Sequence, residues 1–322
     1  MYRILAIDGG GIRGIIPAWW LARLEERLGN PLYEHFDFVA GTSTGSIVAA
    51  GIAAGIPAET LVRFYREQGK NIFPPRGFRN DRKIWDLSFF IPKYEESPLR
   101  DVLKQNFLNL GTDLLYGELK LNCAVVAYDA LNRRPRILRS WDPNDAALPI
   151  WEVCKASCSA PTYFPAHVIE TAGVPCPLID GGVVANNPAS LALAEAIRKQ
   201  RNTNLADFES TNHELILISL GTGNLTRRIT VDEAQQWGKA QWALPILDVV
   251  FDGTSAADDM LCEAMLTEEQ YIRLQVDLRA ASDDLDDASD ENIDELLADA
   301  LRFYDEGEGR RKFDQIINLL SQ

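Results

Sequence analysis

The chain lacks several things on which common protein classes depend. Its 322 residues carry 32 Lys and Arg against 47 Asp and Glu, a formal net charge of −15. Without a basic surplus for phosphate, a nucleic-acid polymer is not an expected partner. For the same reason, contact with an anionic membrane requires a local patch. The five cysteines, at positions 123, 154, 158, 176 and 262, are odd in number and contain no Cys-x-x-Cys pair, which argues against a disulfide framework or a structural zinc site. The longest weakly polar run, near Ile47 to Ile56, is too short to span a bilayer. Arg3 is followed by only four apolar residues before Asp8, too few for a secretory leader. A protein of a reducing, cytoplasmic compartment is the expectation. Repeats, low-complexity tracts and linkers are also missing, which favours one elaborated domain over residues 1–322. Histidine is scarce as well: His35, His167 and His213 are the only three.

What is present is ordinary globular material, 46% hydrophobic and 9% aromatic, with ample length for a large core. The most informative stretch runs from Phe36 to Ala54. Phe38-Val39-Ala40 reads as a short strand, and Ile47 to Ala54 as a small-residue helix. Between them lies Gly41-Thr42-Ser43-Thr44-Gly45, the Gly-x-Ser-x-Gly pattern of a nucleophile elbow. A strand turning sharply into a helix strains the central residue, and the flanking glycines let neighbouring backbone pass. Ser43 is then presented at a helix N-terminus, where the dipole favours developing negative charge.

A second glycine loop, Asp8-Gly9-Gly10-Gly11-Ile12-Arg13-Gly14, separates the strand Tyr2 to Ile7 from the helix Ile15 to Leu28. Gly9, Gly11 and Gly14 satisfy a dinucleotide fingerprint. Consecutive backbone N–H groups there would equally serve as an anion nest for a catalytic oxyanion. Asp8 leans against the nucleotide, because a carboxylate sits where pyrophosphate would approach. The loop alone leaves both readings open.

Further along, strands alternate with helices, which indicates an α/β fold with a largely parallel sheet. Asn122 to Ala127 and Arg136 to Leu138 are strand candidates, and Glu152 to Ser159 is a short helix. Leu178-Ile179 delivers Asp180 at a strand end, with Gly181 and Gly182 immediately beyond. Asn186-Asn187-Pro188 opens the helix Ala189 to Arg198, and Leu215 to Leu220 is a clear strand ending in Gly221-Thr222-Gly223. Residues 69–98 interleave Lys70, Arg76, Arg79, Arg82, Lys83 and Lys93 with aromatics. That segment reads as a packed loop, or as a lid or surface for peripheral membrane contact. Trp237 to Phe251 reads as a core helix pair, ahead of the alternative of a substrate-channel rim, Asp283 to Glu295 as a solvated acidic loop and helix start, and Phe313 to Leu320 as an amphipathic helix.

A catalytic serine needs a base. None of the three histidines sits on a glycine elbow; His167 is the best placed of them. Asp180 competes better, since a carboxylate held close to the hydroxyl in a partly desolvated pocket becomes a stronger base.

Glycine nest, serine elbow and glycine-flanked aspartate occur in an order that resembles the patatin-like phospholipase family. Ser157-Cys158-Ser159-Ala160-Pro161-Thr162-Tyr163-Phe164-Pro165, Asn186-Asn187-Pro188 and Tyr271-Ile272-Arg273-Leu274-Gln275 are similar to further family motifs. The resemblance implies a three-layer α/β/α fold, with core motifs over residues 3–190 and a C-terminal elaboration over about 225–322. It implies a phospholipase A-type lipid acyl hydrolase with a Ser–Asp dyad, acting on membrane phospholipid or another acyl lipid without metal or cofactor. Ser43 would be the nucleophile and Asp180 its base. Gly9, Gly10, Gly11 and Arg13 would form the oxyanion hole, with the N–H groups of Gly10 and Gly11 as donors. Gly41, Gly45, Gly181 and Gly182 would support the elbows. Three other readings fit parts of the sequence: an effector of bacterial antiviral defence switched on by a cyclic nucleotide, a non-catalytic binding or storage protein on the same fold, and a nucleotide-dependent oxidoreductase.

Overall fold

The computed structural model describes residues 1–74, 91–109, 111–171, 173–203, 215–224, 226–243 and 245–321. The central sheet is built from β1 (Tyr2–Ile7), β2 (Phe38–Thr42), β3 (Asn122–Asp129), β4 (Arg134–Arg139), β5 (His167–Thr171), β6 (Val174–Asp180), β7 (Leu215–Leu220) and β8 (Tyr271–Leu274). These eight form one sheet, with neighbours in the order β8–β7–β1–β2–β3–β6–β5 and with β4 also on β3. From β8 to β3 all pairings are parallel; β4, β5 and β6 add an antiparallel end.

Both faces of the parallel part are covered, so its strands are apolar nearly throughout rather than alternating. Leu5, Ile7, Val39 and Val125 face a core shared with α1 (Ile15–Leu28), α2 (Thr44–Ala54) and α3 (Ala58–Ile72). Ile4, Ala6, Phe38 and Ala40 face the other way, onto Ala189, Ala192 and Leu193 of α6 (Ala189–Thr203) and Cys262 of α7 (Pro245–Met265). This is the expected three-layer α/β/α arrangement. Two further helices, α4 (Glu96–Asn106) and α5 (Ile150–Ser157), flank the antiparallel end. At the C-terminus, α8 (Asp290–Asp305) and α9 (Gly307–Leu320) return to α1, where the Trp20 indole donates to Ala300 O at 3.0 Å and packs against Phe313.

Two sequence expectations need correction. Among the described residues of Trp237 to Phe251, Leu247 and Phe251 are buried, while Trp237 and Trp242 stack edge-on against each other, half-buried, outside the core. The acidic stretch from Asp283 is not a merely solvated loop. Leu285 and Ala288 are buried, and Leu285 O accepts from the Ile12 N–H at 2.9 Å. Carboxylates of this stretch also meet the basic segment. Asp290 pairs with Lys70 at 2.5 Å, and Asp286 with Lys93 and the Tyr94 hydroxyl. Those two lysines are therefore each paired with a carboxylate of this stretch. Phe73 and Tyr94 pack with Phe164, as the packed-loop reading requires. Arg76, Arg79, Arg82 and Lys83 lie outside the described residues.

Candidate active site

The register of β3 explains how two distant residues meet. β4 occupies one edge of β3 from Ala124 to Asp129. On the other edge β2 pairs as far as Thr42↔Val126, and β6, running the opposite way, begins with Asp180↔Ala127. The C-terminal ends of β2 and β6 therefore abut at consecutive residues of β3. Ser43 follows one end and Asp180 closes the other.

Ser43 has φ 51° and ψ −127°, a conformation that L side chains rarely adopt and that costs roughly 1–3 kcal/mol. Its surroundings hold it there. The Ser43 N–H donates to Ser157 Oγ at 2.7 Å, and Ser157 Oγ donates in turn to Val126 O at 2.6 Å. Ser43 O accepts from Ser46 N at 2.9 Å and Ser46 Oγ at 2.6 Å. The glycines do steric work: a Cβ on Gly45 would stand 2.2 Å from Ile7 O, and one on Gly41 2.3 Å from Gly45 O. Only without those atoms can α2 start directly against the ends of β1 and β2.

Ser43 Oγ donates to Asp180 Oδ2 at 2.7 Å, and Asp180 Oδ1 accepts from the Gly182 N–H at 2.8 Å. Asp180 is fully buried. Burial pushes its carboxyl up to about 7, against the opposing pull of the bonds from Ser43 and Gly182. Asp180 N–H reaches Ser159 O and Gly181 N–H reaches Ser157 O, so the Ser157–Ser159 turn stitches the two strand ends together. Gly181 and Gly182 give clearance, since Cβ atoms there would strike Val126 O and the Phe251 ring.

Among the described residues, no histidine reaches this pair. His167 Nδ1 lies 2.9 Å from Lys155 Nζ, beside Glu152 and Trp151, and His35 Nδ1 lies 3.1 Å from Leu320 O. His213 is outside the described residues.

Within the first glycine loop the four residues part company. Gly9 N–H is committed to Asn186 O at 3.0 Å, so Gly9 provides clearance beside Ser43 rather than a donor. Arg13 is buried, with Nε on Gly10 O at 3.3 Å and a guanidinium N–H on Gly223 O at 3.2 Å; it braces the loop. Among the described residues, the N–H groups of Gly10 and Gly11 have no bonded acceptor. Gly11, at φ 58°, lines a cleft together with Ser43 and Asp180. The remaining wall is mainly apolar, including Ile47, Phe64, Ile72, Phe73, Phe164 and Phe251.

Sequence reasoning missed two supports. Asp8, 1% exposed, forms a bidentate ion pair with Arg273, at 2.8 and 2.5 Å, and accepts from Ser255 Oγ at 3.2 Å. Thr222 Oγ1 donates to Gly9 O at 2.7 Å. Both partners were visible as motif residues, but nothing local links them to a loop more than 200 positions away.

The fold and this arrangement define an α/β protein of the nucleophile-elbow class. A family model described as patatin-like phospholipase matches residues 5–193. Patatin-like protein 2 of Oryza sativa subsp. indica is 32% identical over 340 residues, covering 92% of this chain and 82% of its own. The probable inactive patatin-3-Kuras 1 of Solanum tuberosum is 30% identical, covering 91% and 83%. Among solved structures, VipD from Legionella pneumophila aligns over 99% of this chain and 66% of its own, at 13% identity and a TM-score of 0.47. The chain belongs to the patatin-like phospholipase family.

Proposed function

We propose that the protein is a lipid acyl hydrolase, a serine carboxylic-ester hydrolase of phospholipase A type, in which Ser43 and Asp180 form the catalytic dyad. The observation that carries this reading is the 2.7 Å bond from Ser43 Oγ to the buried Asp180 carboxylate at the base of an apolar cleft. The first step is attack by Ser43 Oγ on the ester carbonyl carbon as its proton passes to Asp180 Oδ2. The tetrahedral oxyanion is held by Gly10 and Gly11 N–H groups. Collapse breaks the bond to the leaving alcohol, which takes the proton from Asp180. Water then yields a proton to Asp180 and attacks the acyl-enzyme; the acid departs as Ser43 regains its proton. An apolar wall suits the acyl chain. We read residues 1–322 as one domain, because α8 and α9 pack directly on α1.

A relative described as probably inactive makes the alternative, a non-catalytic scaffold, worth testing. The test is hydrolysis of a short-chain p-nitrophenyl ester and of phospholipid vesicles by wild type, Ser43→Ala, Asp180→Ala and His167→Ala. Loss of at least ~10⁴-fold in the first two variants, with His167→Ala near wild type, is the expected outcome. Equal hydrolysis by Ser43→Ala would sink the reading.

A further inference from the structure

The two N–H groups assigned to the oxyanion have their directions set by groups outside the glycine loop. In a trans peptide, C=O and the following N–H point in opposite directions, and no cis peptide bond occurs in the described chain. Fixing a carbonyl therefore aims the next N–H. Gly10 O is fixed from within the loop, by Arg13 N–H at 3.2 Å and Arg13 Nε at 3.3 Å, and this aims the Gly11 N–H. Gly9 O is fixed from without. Thr222 Oγ1, in the turn after β7, donates to it at 2.7 Å, and Asn186 Nδ2, beyond the turn after β6, donates at 3.4 Å.

Asn186 holds Gly9 in a second way, since its own carbonyl accepts the Gly9 N–H. Its Oδ1 is buried without a hydrogen-bond partner, and an added Cβ on Gly9 would stand 2.3 Å from it. The same Cβ would stand 3.1 Å from Ser43 Cβ, so the carboxamide and the nucleophile border the same face of Gly9. Thr222 is 3% exposed, and a Cβ on Gly10 would stand 2.2 Å from its Oγ1.

Resting on the hydrolase reading above, we propose that Thr222, seconded by Asn186, is a positioning residue of the oxyanion hole. By holding the Gly9 carbonyl, its hydroxyl turns the Gly10 N–H toward the carbonyl oxygen of the ester under attack. The bond also polarises that peptide unit, which strengthens the N–H as a donor. Neither residue touches substrate; each acts through the Gly9–Gly10 peptide. The effect belongs to the transition state, where charge on the oxygen is greatest.

The experiment measures kcat and KM for a p-nitrophenyl ester with wild type, Thr222→Val, Thr222→Ser and Ser43→Ala. A fluorophosphonate that labels the nucleophile counts functional sites in each preparation, so a poorly folded variant is normalised. Losing an oxyanion donor outright typically costs about 10²–10³, and a donor misaimed but still present should cost about 10–100-fold. We expect that loss in kcat per titrated site for Thr222→Val, with KM within twofold and recovery in Thr222→Ser. A trifluoromethyl ketone, which mimics the tetrahedral adduct, should lose affinity in the same proportion. Wild-type kcat in Thr222→Val, a change confined to KM, or failure of Thr222→Ser to recover would each overturn the proposal. If Ser43→Ala is inactive at the same time, the hydrolase reading survives that outcome; if Ser43→Ala matches wild type, both fall.

Discussion

Asp180 combines two properties that pull against each other. Its burial raises the carboxyl to about 7, which makes it a far better base than an ordinary aspartate and also makes its ionised form costly to keep folded. In the proposed mechanism Asp180 acts in its ionised form, so kcat/KM should fall about tenfold per pH unit below about 7, read from a pH–rate profile. Stability has the opposite sign. A carboxyl raised in the folded state contributes stability that is present below its unfolded value of 3.8 and lost as pH rises through about 7. Asp180→Asn, which mimics the neutral form, should therefore stabilise the protein at pH 8 by on the order of 2–4 kcal/mol. The gain should shrink toward pH 4, and denaturant unfolding at both pH values checks it. A variant that is inactive and more stable would mark Asp180 as a site where stability is given up for chemistry.

At the scale of elements, the site is a junction of strand ends. β2 and β6 meet on β3, the glycine loop leaves β1, and β7 and β8 supply Thr222 and Arg273. The buried pair Asp8–Arg273 ties the end of β1 to β8, and Ser255 adds α7. Burial raises the Asp8 carboxyl while Arg273 and Ser255 oppose that rise. Arg273→Met leaves the carboxylate uncompensated and should cost about 3–5 kcal/mol in urea unfolding, because removing one partner of a buried ion pair strands the other. Adding Asp8→Asn should recover much of that loss. A single variant as stable as wild type would show that the pair does not hold these elements together.

At the scale of the whole molecule, acidic charge dominates, and the described lysines of the basic segment are paired with carboxylates. The chain carries −15 overall. The described part of its basic segment meets the acidic stretch before and within α8, with Lys70 on Asp290 and Lys93 on Asp286. Among the described residues, no helix is long and apolar enough to cross a membrane. The net charge repels an anionic surface over about a Debye length, ~10 Å at 0.1 M salt. Hydrolysis of phosphatidylcholine vesicles should accordingly exceed that of vesicles containing phosphatidylglycerol severalfold at low salt, with the gap closing as salt is raised. Faster hydrolysis of the anionic vesicles at low salt would point to a basic docking patch instead.

Sequence alone determined the features that are local. Flanking glycines announced the strained turn at Ser43, where φ is 51°, and short apolar runs announced the strands of the parallel sheet. Each follows from backbone sterics or from periodicity over a few residues. The tertiary structure decided what depends on distant segments arriving at one place. The end-to-end meeting of β2 and β6 puts Ser43 against Asp180, 137 positions apart. Thr222 reaches Gly9 across 213 positions, and Arg273 reaches Asp8 across 265. Leu285 covers the glycine loop from a stretch whose composition signals only solvent. A hydrogen bond or ion pair needs its partners within about 3 Å, and sequence spacing carries no information at that range.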